Sequence, residues 1–103
     1  MMGNMFEKIP KDLSDEVFED ILKSKNIRIE RIISKGHKTE LDWYDQDENE
    51  WVMLLSGEAE ILFEDGSVVE LKSGDYIDIK AHQKHKVLWT KEDELSVWLA
   101  VFY

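Results

Sequence analysis

The groups in this 103-residue chain best suited to chemistry lie between Glu50 and His85. Glu50 is separated from Gly57 by the run Trp51-Val52-Met53-Leu54-Leu55-Ser56, and Gly74 leads through Asp75-Tyr76-Ile77-Asp78-Ile79 and a polar loop to His85. A carboxylate and an imidazole can pass a proton or hold a divalent metal. The chain has no cysteine, which excludes disulfides and thiolate chemistry. It contains no Gly-rich phosphate loop, no G-x-S-x-G nucleophile elbow and no paired zinc-finger spacing. Catalysis, if any, would be Lewis-acid or redox work at a metal, or proton transfer by Glu50 and His85. The acids Asp45, Asp47, Glu48 and Glu50 lack the glycine and the ligand spacing of a calcium loop.

These residues need a scaffold, and the patterning predicts a β-rich one. Ile27, Ile29, Arg31 and Ile33 alternate with Arg28, Glu30 and Ile32, as in a strand. Further strands are expected over 38–44, 51–56, 58–64, 67–72, 76–80, 86–90 and 95–103. The dipeptide Asp65-Gly66 is a strong hairpin signal and predicts a type I′ turn. Many short strands at regular spacing argue for a sandwich or a closed barrel. The last segment, Leu95–Tyr103, is apolar on nearly both faces, as in a strand that is central or covered by a second subunit; the expectation is a homodimer.

Residues 1–26 read differently. Leu13, Val17 and Ile21, with Phe18 and Leu22, share a helical stripe, and Asp12 or Ser14 can cap its start. This predicts an N-terminal helical segment, 1–26, packed on a barrel formed by 27–103.

The spaced phrases resemble the two motifs of the cupin family, over roughly residues 36–89. Glu50 and Gly57 match the second half of the first motif. Its His-x-His positions fall on Tyr44 and Gln46, or on Trp43 and Asp45 in the longer spacing, so that pair is absent here. Gly74 and His85 match the second motif, with Lys80, His82 and Trp89 where proline, glycine and asparagine are usual. The resemblance implies an all-β fold, a cupin (double-stranded β-helix, or jelly-roll) barrel with a short N-terminal helix. It implies that Glu50 and His85, with Gln46 and Tyr44, converge as metal ligands. Strand parity then makes Val52, Leu54, Val87 and Trp89 the pocket lining.

A set of one imidazole with oxygen ligands is harder than the usual cupin set and leans towards manganese or magnesium, with iron, nickel or zinc held more weakly. His37 and His82 would restore nitrogen ligands only if their loops fold inward. The expected function is binding of a small molecule, with a divalent metal (Mn, Fe, Ni or Zn) as a possible cofactor at Glu50 and His85. The alternative is a metal-dependent enzyme, an oxygenase, isomerase, decarboxylase or lyase, acting on a small polar metabolite. The sequence leaves open whether the protein is an enzyme.

The formal net charge of −10, from 23 acids and 13 bases, argues against a nucleic-acid partner, because phosphate binding needs lysine and arginine. No apolar run has the length of a membrane span, and the first residues lack the pattern of a signal peptide. The expected location is the cytoplasm.

Overall fold

The computed structural model describes residues 2–39 and 42–103. The described residues form eight strands, β1 (Val17–Lys23), β2 (Arg28–Ser34), β3 (Glu50–Ser56), β4 (Glu58–Phe63), β5 (Val68–Lys72), β6 (Tyr76–Ile79), β7 (His85–Thr90) and β8 (Ser96–Phe102). They make a five-stranded sheet in the order β1-β2-β8-β3-β6 and a three-stranded sheet in the order β5-β4-β7. Every pairing is antiparallel. The fold is an all-β jelly-roll barrel, as the cupin resemblance implies.

The expected N-terminal helix is not formed. Val17–Lys23 is an edge strand paired with β2, from Val17↔Ile33 to Lys23↔Arg28, with a register shift between Asp20 and Leu22. Isolated helices shorter than ~12–15 residues are marginal in water. The unpaired edge of β2 offers the same residues a full ladder, and the β-branched and aromatic side chains of Val17, Phe18 and Ile21 suit it.

The preceding segment crosses the outside of this sheet and is pinned by Arg31, which is 7 % exposed. Its guanidinium donates to the carbonyls of Met5 (3.2 Å) and Glu7 (2.6 Å) and to Glu19 Oε1 (2.7 Å). One side chain thus ties the segment to both β1 and β2.

The apolar character of Leu95–Tyr103 follows from position. β8 is the middle strand of the larger sheet, between β2 and β3. Trp98, Ala100 and Phe102 enter the core beside Val52, Leu54 and Ile79, and meet Ala59, Ile61, Phe63 and Leu71 from the smaller sheet.

The expected strand over 38–44 includes Glu40 and Leu41, which lie outside the described residues. Around them, the Thr39 amide donates to the Val87 carbonyl (2.8 Å), and Tyr44 forms an isolated bridge with His85.

The β4–β5 hairpin has another turn than expected. The Gly66 amide donates to the Phe63 carbonyl at 2.9 Å, and only Gly66 in this turn has positive φ, +90°. A type I′ turn needs two such residues; this is a type I turn followed by a left-handed glycine. Asp65 Oδ1 accepts from the Ser67 amide and hydroxyl at 2.9 and 2.6 Å. At the β3–β4 corner, Gly57 has φ +97°, and a Cβ there would fall 2.7 Å from Ser96 Cα. Only glycine lets the chain turn from one sheet to the other so close to β8.

Candidate functional site

A cavity of about 80 Å³ opens at one end of the barrel, with Tyr44, Gln46, Glu50, Val52, His85 and Val87 among its lining residues. Glu50 opens β3 and His85 opens β7, so the two belong to different sheets. Glu50 is 7 % and His85 5 % exposed, and Glu50 Oε1 lies 3.6 Å from His85 Nε2. That separation is within reach of an ion pair when His85 is protonated and is too long for a hydrogen bond. Gln46 Nε2 donates to the same Glu50 oxygen at 3.2 Å. The Tyr44 ring stands 5.6 Å from the imidazole, centroid to centroid.

The backbone sets this arrangement. Tyr44 and His85 exchange amide-to-carbonyl hydrogen bonds of 2.8 and 3.2 Å, which lays the 44–46 stretch against the start of β7. The His82 amide donates to the Gln46 carbonyl at 2.8 Å and fixes the other end of that stretch. His85 Nδ1 lies 3.0 Å from the Gln83 carbonyl, so a proton on Nδ1 leaves Nε2 to face Glu50. Burial lowers the pKa of the His85 imidazolium, but the Glu50 carboxylate and the Gln83 carbonyl outweigh it, so it stands above the ordinary 6.5.

Two of the residues expected to line the pocket do not reach this cavity. Leu54 points inward, as Val52 does, but is fully buried in the core behind it. Trp89 faces outward and is 39 % exposed. In the pairing with β4, Ile61 meets Val87 while Glu60 meets Trp89, which leaves Leu88 as an extra residue. This bulge reverses the strand's parity, so Thr90 (1 % exposed) faces inward in place of Trp89. Thr90 Oγ1 then donates to the His37 carbonyl at 2.6 Å.

The other two histidines lie away from the cavity lining. His82 is in an exposed loop with φ +62°, its Nδ1 2.8 Å from Asp45 Oδ1 and its Nε2 3.4 Å from Asp47 Oδ1. His37 Nδ1 accepts from the Lys35 amide at 2.9 Å, and its Nε2 lies 3.2 Å from the Ser14 carbonyl. Both rings are occupied in holding loops.

Sequence reasoning missed Glu16, Phe18, Glu30, Ile32, Trp98 and Phe102, which also line the cavity. Glu30 with Ile32, and Trp98 with Phe102, could have been found from strand parity once β2 and β8 were placed beside β3. Glu16 and Phe18 were hidden by the helical reading of their segment. Glu16 Oε2 accepts from Ser34 Oγ at 2.8 Å, and Glu30 Oε2 accepts from Arg28 Nε at 3.0 Å. Burial raises the pKa of the Glu30 carboxyl; Arg28 offsets this in part, while Asp20 and Glu50 add to it. Burial also raises that of the Tyr44 hydroxyl, with Glu16 and Glu50 adding to it against a smaller pull from Thr39.

Among the described residues this donor set falls short of the three protein ligands that a zinc site uses, because no three His, Cys, Asp or Glu side chains converge. Nor is any helix of the described residues long and apolar enough to cross a membrane.

Known proteins fit this geometry. A protein of Ralstonia eutropha JMP134, provisionally assigned as a mannose-6-phosphate isomerase, is 40 % identical, with 99 % of this chain and 96 % of that one covered and a TM-score of 0.93. An RmlC-like cupin from Desulfovibrio desulfuricans is 19 % identical, with 99 % and 95 % covered and a TM-score of 0.78. A Klebsiella pneumoniae protein with a double-stranded β-helix domain is 18 % identical, with 98 % and 82 % covered and a TM-score of 0.81. No curated protein matches the chain. The family description "Cupin domain" matches residues 30–102, from the acid of β2 that lines the cavity to the last residue of β8. With two jelly-roll sheets closing on a Glu50–His85 site inside the matched span, the chain belongs to the cupin family.

Proposed function

We propose that this protein is a small-molecule-binding cupin whose ligand enters the cavity and meets the Glu50–His85 pair. The observation that carries this reading is the ion pair itself, two ionisable groups more than nine-tenths buried, at the wall of a cavity open to solvent. Structural ion pairs of this burial are costly to desolvate, which makes a functional reason for keeping one the better explanation. The pair can hold one proton between a carboxylate and an imidazole and offer it to a bound polar group.

The test is binding of small polar metabolites followed by melting temperature, in wild type, E50Q and H85Q. Ligands that stabilise wild type and lose that effect in both variants support the site. Ligands that stabilise all three proteins equally place binding elsewhere.

A second reading, a metal-dependent cupin enzyme, is favoured by the orientation of His85. Nδ1 faces a backbone carbonyl and leaves Nε2 towards the cavity, as metal-binding histidines do. Manganese, iron, nickel or zinc would have Glu50 and His85 as protein ligands, supplemented by Gln46 or Tyr44. The isomerase assignment of the Ralstonia relative belongs to this reading. Association into a homodimer is favoured by the outer face of the larger sheet, where Trp51, Met53, Leu99 and Val101 remain half-buried. Sedimentation equilibrium tests it; a monomer at high micromolar concentration would refute it.

A further inference from the structure

We infer that residues 42–49 form a movable wall of the cavity, a strap latched by His82, and that its release admits a ligand to Glu50 and His85. This rests on the proposed small-molecule site and adds the route by which that site is reached.

The strap runs between two pinned points. Before it, the Thr39 amide donates to the Val87 carbonyl at 2.8 Å, and Thr39 Oγ1 accepts from the Val87 amide at 3.0 Å. At its far end, Asn49 and Tyr103 exchange amide-to-carbonyl hydrogen bonds of 3.0 Å, and Asn49 Oδ1 accepts from the Ala81 amide at 2.9 Å. Between these anchors the strap gives the cavity Tyr44 and Gln46. Yet none of residues 42–49 is buried. A segment that buries no side chain opens at much lower free energy than the core beneath it.

The contacts that fasten the strap are of the same releasable kind. Its backbone is held through Tyr44 to His85 and through the Gln46 carbonyl to the His82 amide. Ion pairs between partly exposed side chains add to this. His82 Nδ1 lies 2.8 Å from Asp45 Oδ1 and its Nε2 3.4 Å from Asp47 Oδ1, while Arg28 reaches Glu48 at 3.0 Å. Exposed pairs of this sort each favour one conformation by only a few-fold.

His82 joins both kinds of contact, since its amide holds Gln46 and its ring holds Asp45. It does so at φ +62°, where residues other than glycine are uncommon. Such a backbone persists when its surroundings impose it, and here the strap is what it touches.

Release has a direct consequence for the site. The closed cavity holds about 80 Å³, room for about half a dozen waters, and leaves Glu50 and His85 buried. Swinging the strap out removes Tyr44 and Gln46 from the wall together and frees the Glu50 oxygen that Gln46 binds. Glu50 and His85 stay on β3 and β7, so the pair is bared while the barrel strands remain paired.

The test compares the full chain with H82G and D45A. Glycine takes φ +62° without strain, so H82G keeps the turn and removes only the ring. Native-state hydrogen exchange is followed by NMR at the amides of Tyr44, His85 and position 82, with β8 as the reference. In wild type these three should exchange at least about tenfold faster than β8. Both variants should speed them about threefold and leave β8 unchanged. Diethyl pyrocarbonate, which acylates accessible imidazoles, should modify His85 faster by the same factor, as read by peptide mass. Exchange of the three amides at the β8 rate would show that the strap opens only with the whole barrel. Unchanged acylation of His85 in both variants would show that the strap does not control access. Either result overturns the latch, whereas the small-molecule site stands or falls on the E50Q and H85Q melting test, which does not depend on the strap.

Discussion

Glu50 and His85 face one another across the barrel, 3.6 Å apart, one on each sheet. Their separation of 35 positions in sequence is bridged by two independent devices. The Tyr44–His85 bridge fixes the start of β7, and the β3–β8 and β3–β6 ladders fix the start of β3. The pair therefore forms only when the barrel closes, and the protonation of His85 reports on whether it is closed.

That report has a defined sign. The pKa of His85 is raised in the folded protein, so its pairing contributes stability that is fully present below pH 6.5 and lost as pH rises through the folded-state value. NMR titration of the imidazole should give a midpoint above 6.5 in wild type and a lower one in E50Q. An unchanged midpoint in E50Q would show that Glu50 does not hold the proton there.

Metal addition separates the two functional readings. Were a site of 10 μM affinity present, 1 mM metal would add about 2.7 kcal/mol and raise the melting temperature of a domain this size by more than ~10 °C. With two opposed protein ligands, manganese or zinc should raise it by less than about 2 °C. A large rise that disappears in H85Q would establish the enzyme reading's metal.

Gly57→Ala should be severe, because the new Cβ would meet Ser96 Cα at 2.7 Å and the backbone is at φ +97°. A loss of about 2–4 kcal/mol is expected from overpacking and strain together. Gly66→Ala is the control. Its φ is +90° but the space around it is open, so only the conformational cost of about 1 kcal/mol should appear. Denaturant midpoints measure both; equal losses would mean that the close approach at Gly57 relaxes freely.

Arg31→Met should free the N-terminal segment. It removes donors to three backbone carbonyls and the partner of Glu19, whose side chain is partly exposed, so a loss of about 1–3 kcal/mol is expected. Limited proteolysis should then cut before β1 while the remaining strands stay protected. Unchanged cleavage would mean that other contacts hold the segment.

Much of this architecture was legible in the residues. Alternation in 27–33 and the Asp65-Gly66 turn point to a β-rich fold because strand periodicity and turn chemistry are local properties, and the spaced Glu50–Gly57 and Gly74–His85 phrases point to the barrel through their resemblance to the cupin motifs. The same local rules failed where neighbours decided. Val17–Lys23 satisfies a helical period as well as a strand period, and the free edge of β2 settles which one forms. His85, Val87 and Trp89 share a face only in a regular strand, and the bulge at Leu88, a feature of pairing with β4, turns Trp89 out. Glu16 and Glu30 carry no motif at all. They reach the cavity because β1 and β2 extend the sheet beyond β8, a placement that depends on long-range hydrogen bonding between strands and not on any property of the acids themselves. The sequence by itself determined most strands from β2 onward and the places of the turns and, through the cupin resemblance, singled out Glu50 and His85; tertiary structure alone decided β1, the type of the β4–β5 turn and which other side chains surround the pair, because a face becomes a wall only when a second sheet closes over it.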